Sequence, residues 1–141
     1  MSDPLYAKDL LRLAASAIGA GRLSPFDAEG RAHNPTCGDR VGVTLRLDDT
    51  GRISAIAHET AACVLAQASA SILGAHLAGA DQTAVKELRQ QIDTMLKTGA
   101  LPPAPFSDYS ALAGAATYRN RHACVLLPID AVLDALKGRV T

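Results

Sequence analysis

Three cysteines and one aspartate are the residues of this chain best equipped for chemistry. Cys37 and Asp39 flank Gly38 in the run His33-Asn34-Pro35-Thr36-Cys37-Gly38-Asp39, and the remaining thiols are Cys63 and Cys124. Pro35 fixes its own φ and pushes Asn34 towards extended backbone. Gly38 can take positive φ at no steric cost, so a thiol and a carboxylate two residues apart can aim at one point. Together, Cys37, Asp39, Cys63 and Cys124 make a three-thiolate, one-carboxylate donor set, which can complete tetrahedral zinc or terminate the corners of an iron–sulfur cluster. Each member also has a plainer reading. Cys-Gly-Asp in a loop commonly forms an Asx turn, and free cysteine is among the most buried residue types, acting as a small hydrophobe.

The other polar candidates are subordinate to this set. His33, His58 and His76 read as surface groups or as partners of ligands. His122, two residues before Cys124, is near enough in sequence to replace a ligand or shuttle a proton. Arg121 reads as a solvated cation, although beside a thiolate cluster its charge would favour the deprotonated sulfur.

Composition excludes several classes. With 141 residues, 48% of them hydrophobic and 20% charged, the chain fits one compact domain over 1–141 with a real core. Formal net charge is zero and Lys and Arg are scattered, which argues against a broad nucleic-acid footprint. An odd number of cysteines and an N-terminus without a basic region followed by a long apolar one point to a cytoplasmic chain with reduced thiols. The most apolar stretch, Ala61 to Ala80, is interrupted by Gln67, serines and His76 and is too polar to span a membrane.

The elements that must position the thiols are legible in outline. Asp3-Pro4 followed by Leu5, Leu10, Leu11 and Leu13 reads as a capped amphipathic helix. The segment from Leu23 to Ala32, with Pro25 and Gly30, reads as a connection ending in a short extended piece. Val41, Val43, Leu45 and Leu47 then alternate with Gly42, Thr44, Arg46 and Asp48, the signature of a half-buried strand. Asp49-Thr50-Gly51 supplies a turn and Arg52 to His58 a return strand, so a hairpin brings Asp39 near the segment leading to Cys63. Thr60 or its neighbours can cap a helix through Cys63, Leu65, Ala68, Ile72 and Leu73, with Cys63 in the first turn, where exposed N–H groups favour a thiolate. Asp81 to Thr98 reads as a second helix with Gly99 as its stop. Leu101 to Pro105 is a stiff connection, Asp108 to Gly114 a short helical turn, and Arg119 to Cys124 introduces a last helix running to Gly138 that Pro128 must kink unless it sits in the first turn.

At these residues the chain resembles the iron–sulfur cluster assembly scaffolds of the IscU, NifU N-terminal and SufU type. Asn34-Pro35-Thr36-Cys37-Gly38-Asp39 matches the family's Asn-Pro-x-Cys-Gly-Asp. Cys63 followed by Ala68-Ser69-Ala70-Ser71 matches its second-cysteine helix, and Arg121-His122-Ala123-Cys124-Val125-Leu126-Leu127-Pro128 resembles the third-cysteine segment. The long interval between Cys63 and Cys124, with Ala111-Leu112-Ala113-Gly114 ahead of Arg121, is more similar to the SufU branch. Two positions depart from the pattern: Ala123 stands where the IscU branch has His, and Ala61-Ala62 replaces the usual Gly before the second cysteine.

The resemblance implies an α+β fold, a small antiparallel sheet of about three strands with helices on one face and the metal site at one end. It implies a scaffold or sulfur acceptor in cluster biogenesis rather than a stand-alone enzyme. Such a protein takes persulfide sulfur from a pyridoxal-phosphate cysteine desulfurase and passes its product to recipient iron–sulfur apoproteins or carriers. Zinc or a nascent iron–sulfur cluster would be held by Cys37, Asp39, Cys63 and Cys124, with Arg121 and His122 beside it. Similarity to the SufU branch favours Cys37 as the persulfide acceptor, whereas the IscU branch favours Cys124. Two rivals stand beside this reading. One is a closed structural zinc domain, and the other a thiol-dependent transferase or hydrolase using Cys124 with His122 as base, although neighbours two apart on a helix point in different directions.

Overall fold

The computed structural model describes residues 8–35, 38–117 and 121–137. The expected Asp3-Pro4 cap, the Cys37 thiol and the Gly138 stop lie outside the described residues. The order of elements is helix α1 (Lys8–Ser16), strands β1 (Ala28–Asn34), β2 (Asp39–Leu47) and β3 (Ile53–Ala61), helices α2 (Val64–His76) and α3 (Gln82–Thr98), a 3-10 helix (Phe106–Thr117) and helix α4 (His122–Lys137). The strands form one antiparallel sheet in the order β1-β2-β3, the α+β arrangement expected from the sequence. Among the described residues no helix is long and apolar enough to cross a membrane.

The alternation read from Val41 onward decides which face of the sheet is covered. Val41, Val43 and Leu45 are buried on the helix side together with Ile53, and α4 and α2 supply the other half of this core through Ile72, Leu73, Val125, Ile129 and Val132. Alternation also put Thr44 on the opposite, more polar face, yet Thr44 is buried. The connection from Arg22 to Asp27 crosses that face, with the Leu23 N–H donating to the Thr44 hydroxyl at 3.0 Å and the Leu47 N–H to the Asp27 carboxylate at 2.8 Å. Both faces of this part of the sheet are therefore dry, and the hydroxyl buried on the second face has a partner.

Two strands run longer than local pattern suggests. The short extended piece before the cysteine loop is the seven-residue strand β1, and the return strand continues past His58 to Ala61. Tertiary pairing explains both extensions, because β1 is registered residue for residue on β2 from Ala28 opposite Leu45 to Asn34 opposite Asp39. Gly30 is essential to that docking. A Cβ at this position would come within 2.3 Å of the Ala131 carbonyl and the Ala135 N–H of α4, so β1 and α4 meet backbone to backbone. The Arg31 N–H, on the free edge of β1, donates to the Asp134 carboxylate of α4 at 2.9 Å, so the edge of the sheet is partly capped.

The helix boundaries follow ordinary capping chemistry. At α3, Asp81 accepts from the Ala84 N–H at 2.8 Å and Gly99 closes the helix with φ of 83°. At α2 the cap is not Thr60, which belongs to β3, but Cys63 in extended backbone, with no side-chain cap bond. Pro128 lies inside α4 rather than in its first turn, and lacking an N–H it cannot donate to the Cys124 carbonyl.

The segment after α1 is tied to the outer edge of β3 around His58. Its Nε2 faces the Ile18 carbonyl and its Nδ1 the Thr60 hydroxyl, both at 2.9 Å, while the His58 N–H donates to the Gly19 carbonyl and the Gly21 N–H to the His58 carbonyl. A carbonyl only accepts, so the neutral ring carries its proton on Nε2. Burial holds the imidazole below its ordinary value of 6.5, with the Ile18 carbonyl partly offsetting the effect. The unfolded chain thus takes up this proton more readily. Stability is full above about pH 6.5 and falls as the pH drops towards the lower folded-state value.

Two outcomes follow from this packing. Gly30→Ala should destabilise the protein by about 2 kcal/mol or more, read by denaturant titration, because helix and strand must separate to admit the methyl. An unchanged midpoint would show that α4 shifts freely. In the metal-free protein the thermal midpoint should fall between about pH 7.5 and 5.5, and His58→Gln should flatten that fall. Equal slopes in the two proteins would assign the pH dependence to other groups.

Candidate metal and sulfur site

The site is built where two hairpin ends and two helix starts meet. Asp39 begins β2, paired to Asn34 on one side, and the next residue, Arg40, is paired to Ala61 at the end of β3 on the other. Only Ala62 separates that strand from Cys63 at the head of α2. The β2–β3 hairpin thus carries Cys63 to Asp39, helped by the extension of β3 beyond His58. The connection is short and fixed, with Gln67 donating through Nε2 to the Ala62 carbonyl at 2.9 Å and its N–H to the Cys63 carbonyl at 3.0 Å. The turn opposite is held by Asp48, whose carboxylate takes the N–H groups of Thr50 and Arg52 and the Thr50 hydroxyl.

The Asp39 carboxylate is the meeting point. Its Oδ2 accepts the Cys63 N–H at 3.2 Å and faces the Cys124 thiol, which donates across 3.7 Å. One ligand atom from each of Asp39, Cys63 and Cys124 lies within 4.8 Å of the other two. Cys124 is buried in the first turn of α4 and Cys63 is half-buried. Free N–H groups at a helix start favour anionic sulfur, and both cysteines occupy such positions.

The donor set suits a borderline-soft divalent cation. Tetrahedral zinc with sulfur at about 2.3 Å and oxygen at about 2.0–2.2 Å needs ligand atoms roughly 3.5–3.8 Å apart. The observed grouping, within 4.8 Å, is at most about 1 Å wider than that. The two sulfurs and a carboxylate leave one tetrahedral position to be filled. Gly38 has φ of 76° and its N–H donates to the Asn34 carbonyl at 2.8 Å, so the backbone on either side of Thr36–Cys37 is pinned beside Asp39.

The remaining sequence candidates separate from this group. His122 begins α4 and is half-buried, but does not join the mutual grouping of Asp39, Cys63 and Cys124. Arg121, also half-buried, immediately precedes α4. His58 serves the sheet edge, and His76 lies 3.5 Å from the Asp108 carboxylate and edge-on to Phe106 at the far end of α2. His33 is exposed on β1, where with Arg31, Arg40 and Glu59 it lines a shallow pocket of about 360 Å³ on the open side of the sheet.

Two residues beneath the cysteines escaped the sequence reading of function. Ser69, in the second turn of α2, donates through its hydroxyl to the Val125 carbonyl at 2.8 Å, and the Tyr109 hydroxyl lies 2.7 Å from the same Oγ. Ser69, Tyr109 and Val125 are all fully buried. The signal available was that a serine on the buried side of so apolar a helix must have a partner. Its identity was not available.

A three-stranded antiparallel sheet with helices on one face, and an aspartate and two cysteines gathered at its end, defines a small α+β domain with a thiolate and carboxylate site. The NifU-like N terminal domain family matches residues 5–125, and the chain belongs to that family. Among curated relatives, the iron–sulfur cluster assembly scaffold protein IscU of Thermotoga maritima is 23% identical over 133 residues, 94% of this chain and 93% of its own. The IscU of Streptococcus pyogenes is 29% identical over 119 residues, 83% of this chain and 73% of its own. Among solved structures, a NifU-like N-terminal protein from Brucella abortus superposes with a TM-score of 0.88 at 34% identity, over 96% of this chain and 94% of its own. A protein described as a scaffold for the SUF system, from Fervidobacterium islandicum, shares the fold with a TM-score of 0.83 at 20% identity, over 96% of this chain and 99% of its own.

The site makes a direct expectation about metal. Partners outside the coordination sphere are typically worth about 10- to 100-fold in affinity, so Cys63→Ser should weaken zinc binding by at least about 100-fold in competition with a chromogenic chelator. Asp39→Ala, which removes the hard and weakly held donor, should still load but release its metal to the chelator more slowly. Retained affinity in the first variant would remove Cys63 from the coordination sphere. Collapse of loading in the second would make Asp39 an obligatory ligand.

Proposed function

We propose that this protein is a scaffold and sulfur acceptor in iron–sulfur cluster assembly, with Cys37, Asp39, Cys63 and Cys124 as its donor set. The observation that carries the reading is the convergence of Asp39, Cys63 and Cys124 from three elements, with Cys37 two residues from Asp39 in the chain. A cluster or its components are the cargo, and zinc is a second occupant with the same preference for thiolate and carboxylate. The partners are a cysteine desulfurase that delivers sulfur and apoproteins or carriers that accept the product.

Cys37 is the acceptor of choice on mechanical grounds. Cys63 and Cys124 are fixed at the starts of α2 and α4, whose apolar sides are in the core and cannot travel. Cys37 belongs to the connection between β1 and β2, next to a glycine with positive φ. In the transfer step the Cys37 thiolate attacks the outer sulfur of the desulfurase's cysteine persulfide. A new sulfur–sulfur bond forms on Cys37, the old one breaks, and the desulfurase cysteine departs as thiolate, with no net change of oxidation state. A metal held by Cys37, Asp39, Cys63 and Cys124 would supply positive charge that favours the deprotonated thiol of Cys37. Arg121 and His122, at the start of α4, would add positive charge beside the anionic site.

Incubation with a cysteine desulfurase and cysteine, then alkylation and peptide mass spectrometry, tests the assignment. Added sulfur should appear on the Cys37 peptide and be lost in Cys37→Ser. Sulfur mainly on the Cys124 peptide, or undiminished uptake by Cys37→Ser, would refute it.

A further inference from the structure

We infer that Tyr109 and Ser69 form a buried polar pin that fixes the Cys124 end of α4 against the Cys63 end of α2, making both positioning residues for the two helix-borne thiols. The pin is a chain of three groups. The Tyr109 hydroxyl approaches Ser69 Oγ at 2.7 Å, and Ser69 Oγ donates to the Val125 carbonyl at 2.8 Å. Ser69 has a single proton and spends it on Val125, so Tyr109 must be the donor at the other contact. The Tyr109 oxygen also lies 3.5 Å from the Ser69 carbonyl. Every member is withdrawn from water, and burial raises the Tyr109 hydroxyl above its ordinary value, keeping it a neutral donor.

The geometry of α4 gives this contact its consequence. Pro128 cannot donate to the Cys124 carbonyl, so the first turn of α4 lacks one of the bonds that would stiffen it along its own axis. The next carbonyl, that of Val125, is the one Ser69 holds from outside. Cys124 is covalently joined to Val125, and Cys63 begins the helix that carries Ser69. The hydrogen bond therefore sets how far apart the two thiols stand, and Tyr109 orients the hydroxyl that makes it. Tyr109 comes from the 3-10 helix between α3 and α4, which gives that segment a role in placing the site.

The use made of this spacing rests on the metal and sulfur reading, but the spacing itself is tested without metal. The single variants Ser69→Ala and Tyr109→Phe and the double variant are compared by thermal midpoint, cobalt(II) affinity and absorption, and the ratio of Cys124 to Cys63 alkylation by iodoacetamide in the metal-free protein. Ser69→Ala strands the tyrosine hydroxyl and should lower the midpoint, whereas the double variant removes both polar partners and should recover most of that loss. Positioning should not recover. Cobalt affinity should stay at least about tenfold weaker in the double variant, and the alkylation ratio should stay about threefold or more from the wild-type value. If Ser69→Ala does not fold, Tyr109→Phe, which keeps the ring in place, carries the same comparison of ratios. An alkylation ratio at the wild-type value in the variants would overturn the inference and leave an ordinary core hydrogen bond. A wild-type protein that bound no cobalt would instead count against the metal reading, and the alkylation ratio would still decide the pin.

Discussion

One oxygen of Asp39 meets both the backbone at the head of α2 and the thiol at the head of α4. An oxygen so shared must be delivered accurately, because hydrogen bonds weaken steeply with misalignment. That accuracy comes from the sheet. Asp39 is paired to Asn34 and the next residue, Arg40, to Ala61 at the end of β3, and a slip of one residue in the register would turn the Asp39 side chain to the opposite face. The close meeting of β1 with α4 at Gly30 fixes the other coordinate, the height at which α4 brings Cys124 to the carboxylate.

Helix α2 is the hub through which these constraints are combined. Its two inward serines have separate tasks. Ser69 holds α4 through the Val125 carbonyl, and Ser71 accepts the Ile18 N–H at 3.2 Å, anchoring the segment that follows α1. Gly74 completes the second contact, since a Cβ there would lie 2.2 Å from the Ile18 carbonyl. A helix so apolar carries few polar groups, and those it buries tie it to the N-terminal segment and to α4. No buried side-chain nitrogen or oxygen among the described residues is without a partner.

The site combines rigid and adaptable parts in a way that suits a transient cargo. Cysteines at helix starts are kept in place by the core and favoured as thiolates by the adjoining N–H groups. The carboxylate is a harder donor and exchanges more readily than sulfur. A closed structural zinc site has no need of this asymmetry, whereas a protein that must load and then surrender its cargo does.

The sequence by itself determined a good deal. Alternation from Val41 to Leu47, the Asp49 to Gly51 turn and the apolar stripe of α3 with Asp81 and Gly99 at its ends are local properties, set by side-chain period and backbone preference, and the structure has them where expected. The Asn-Pro-Thr-Cys-Gly-Asp run and the three cysteines named the chemistry. Only the tertiary structure decided the rest. The full length of β1 and β3 depends on their partners, the burial of Thr44 on a crossing connection, and the capping of α2 by Cys63 on where β3 ends. None of these leaves a mark in local sequence. Ser69 and Tyr109 could be identified as neighbours only when α2, α4 and the 3-10 helix were packed, because a buried hydroxyl announces that it has a partner but not which one.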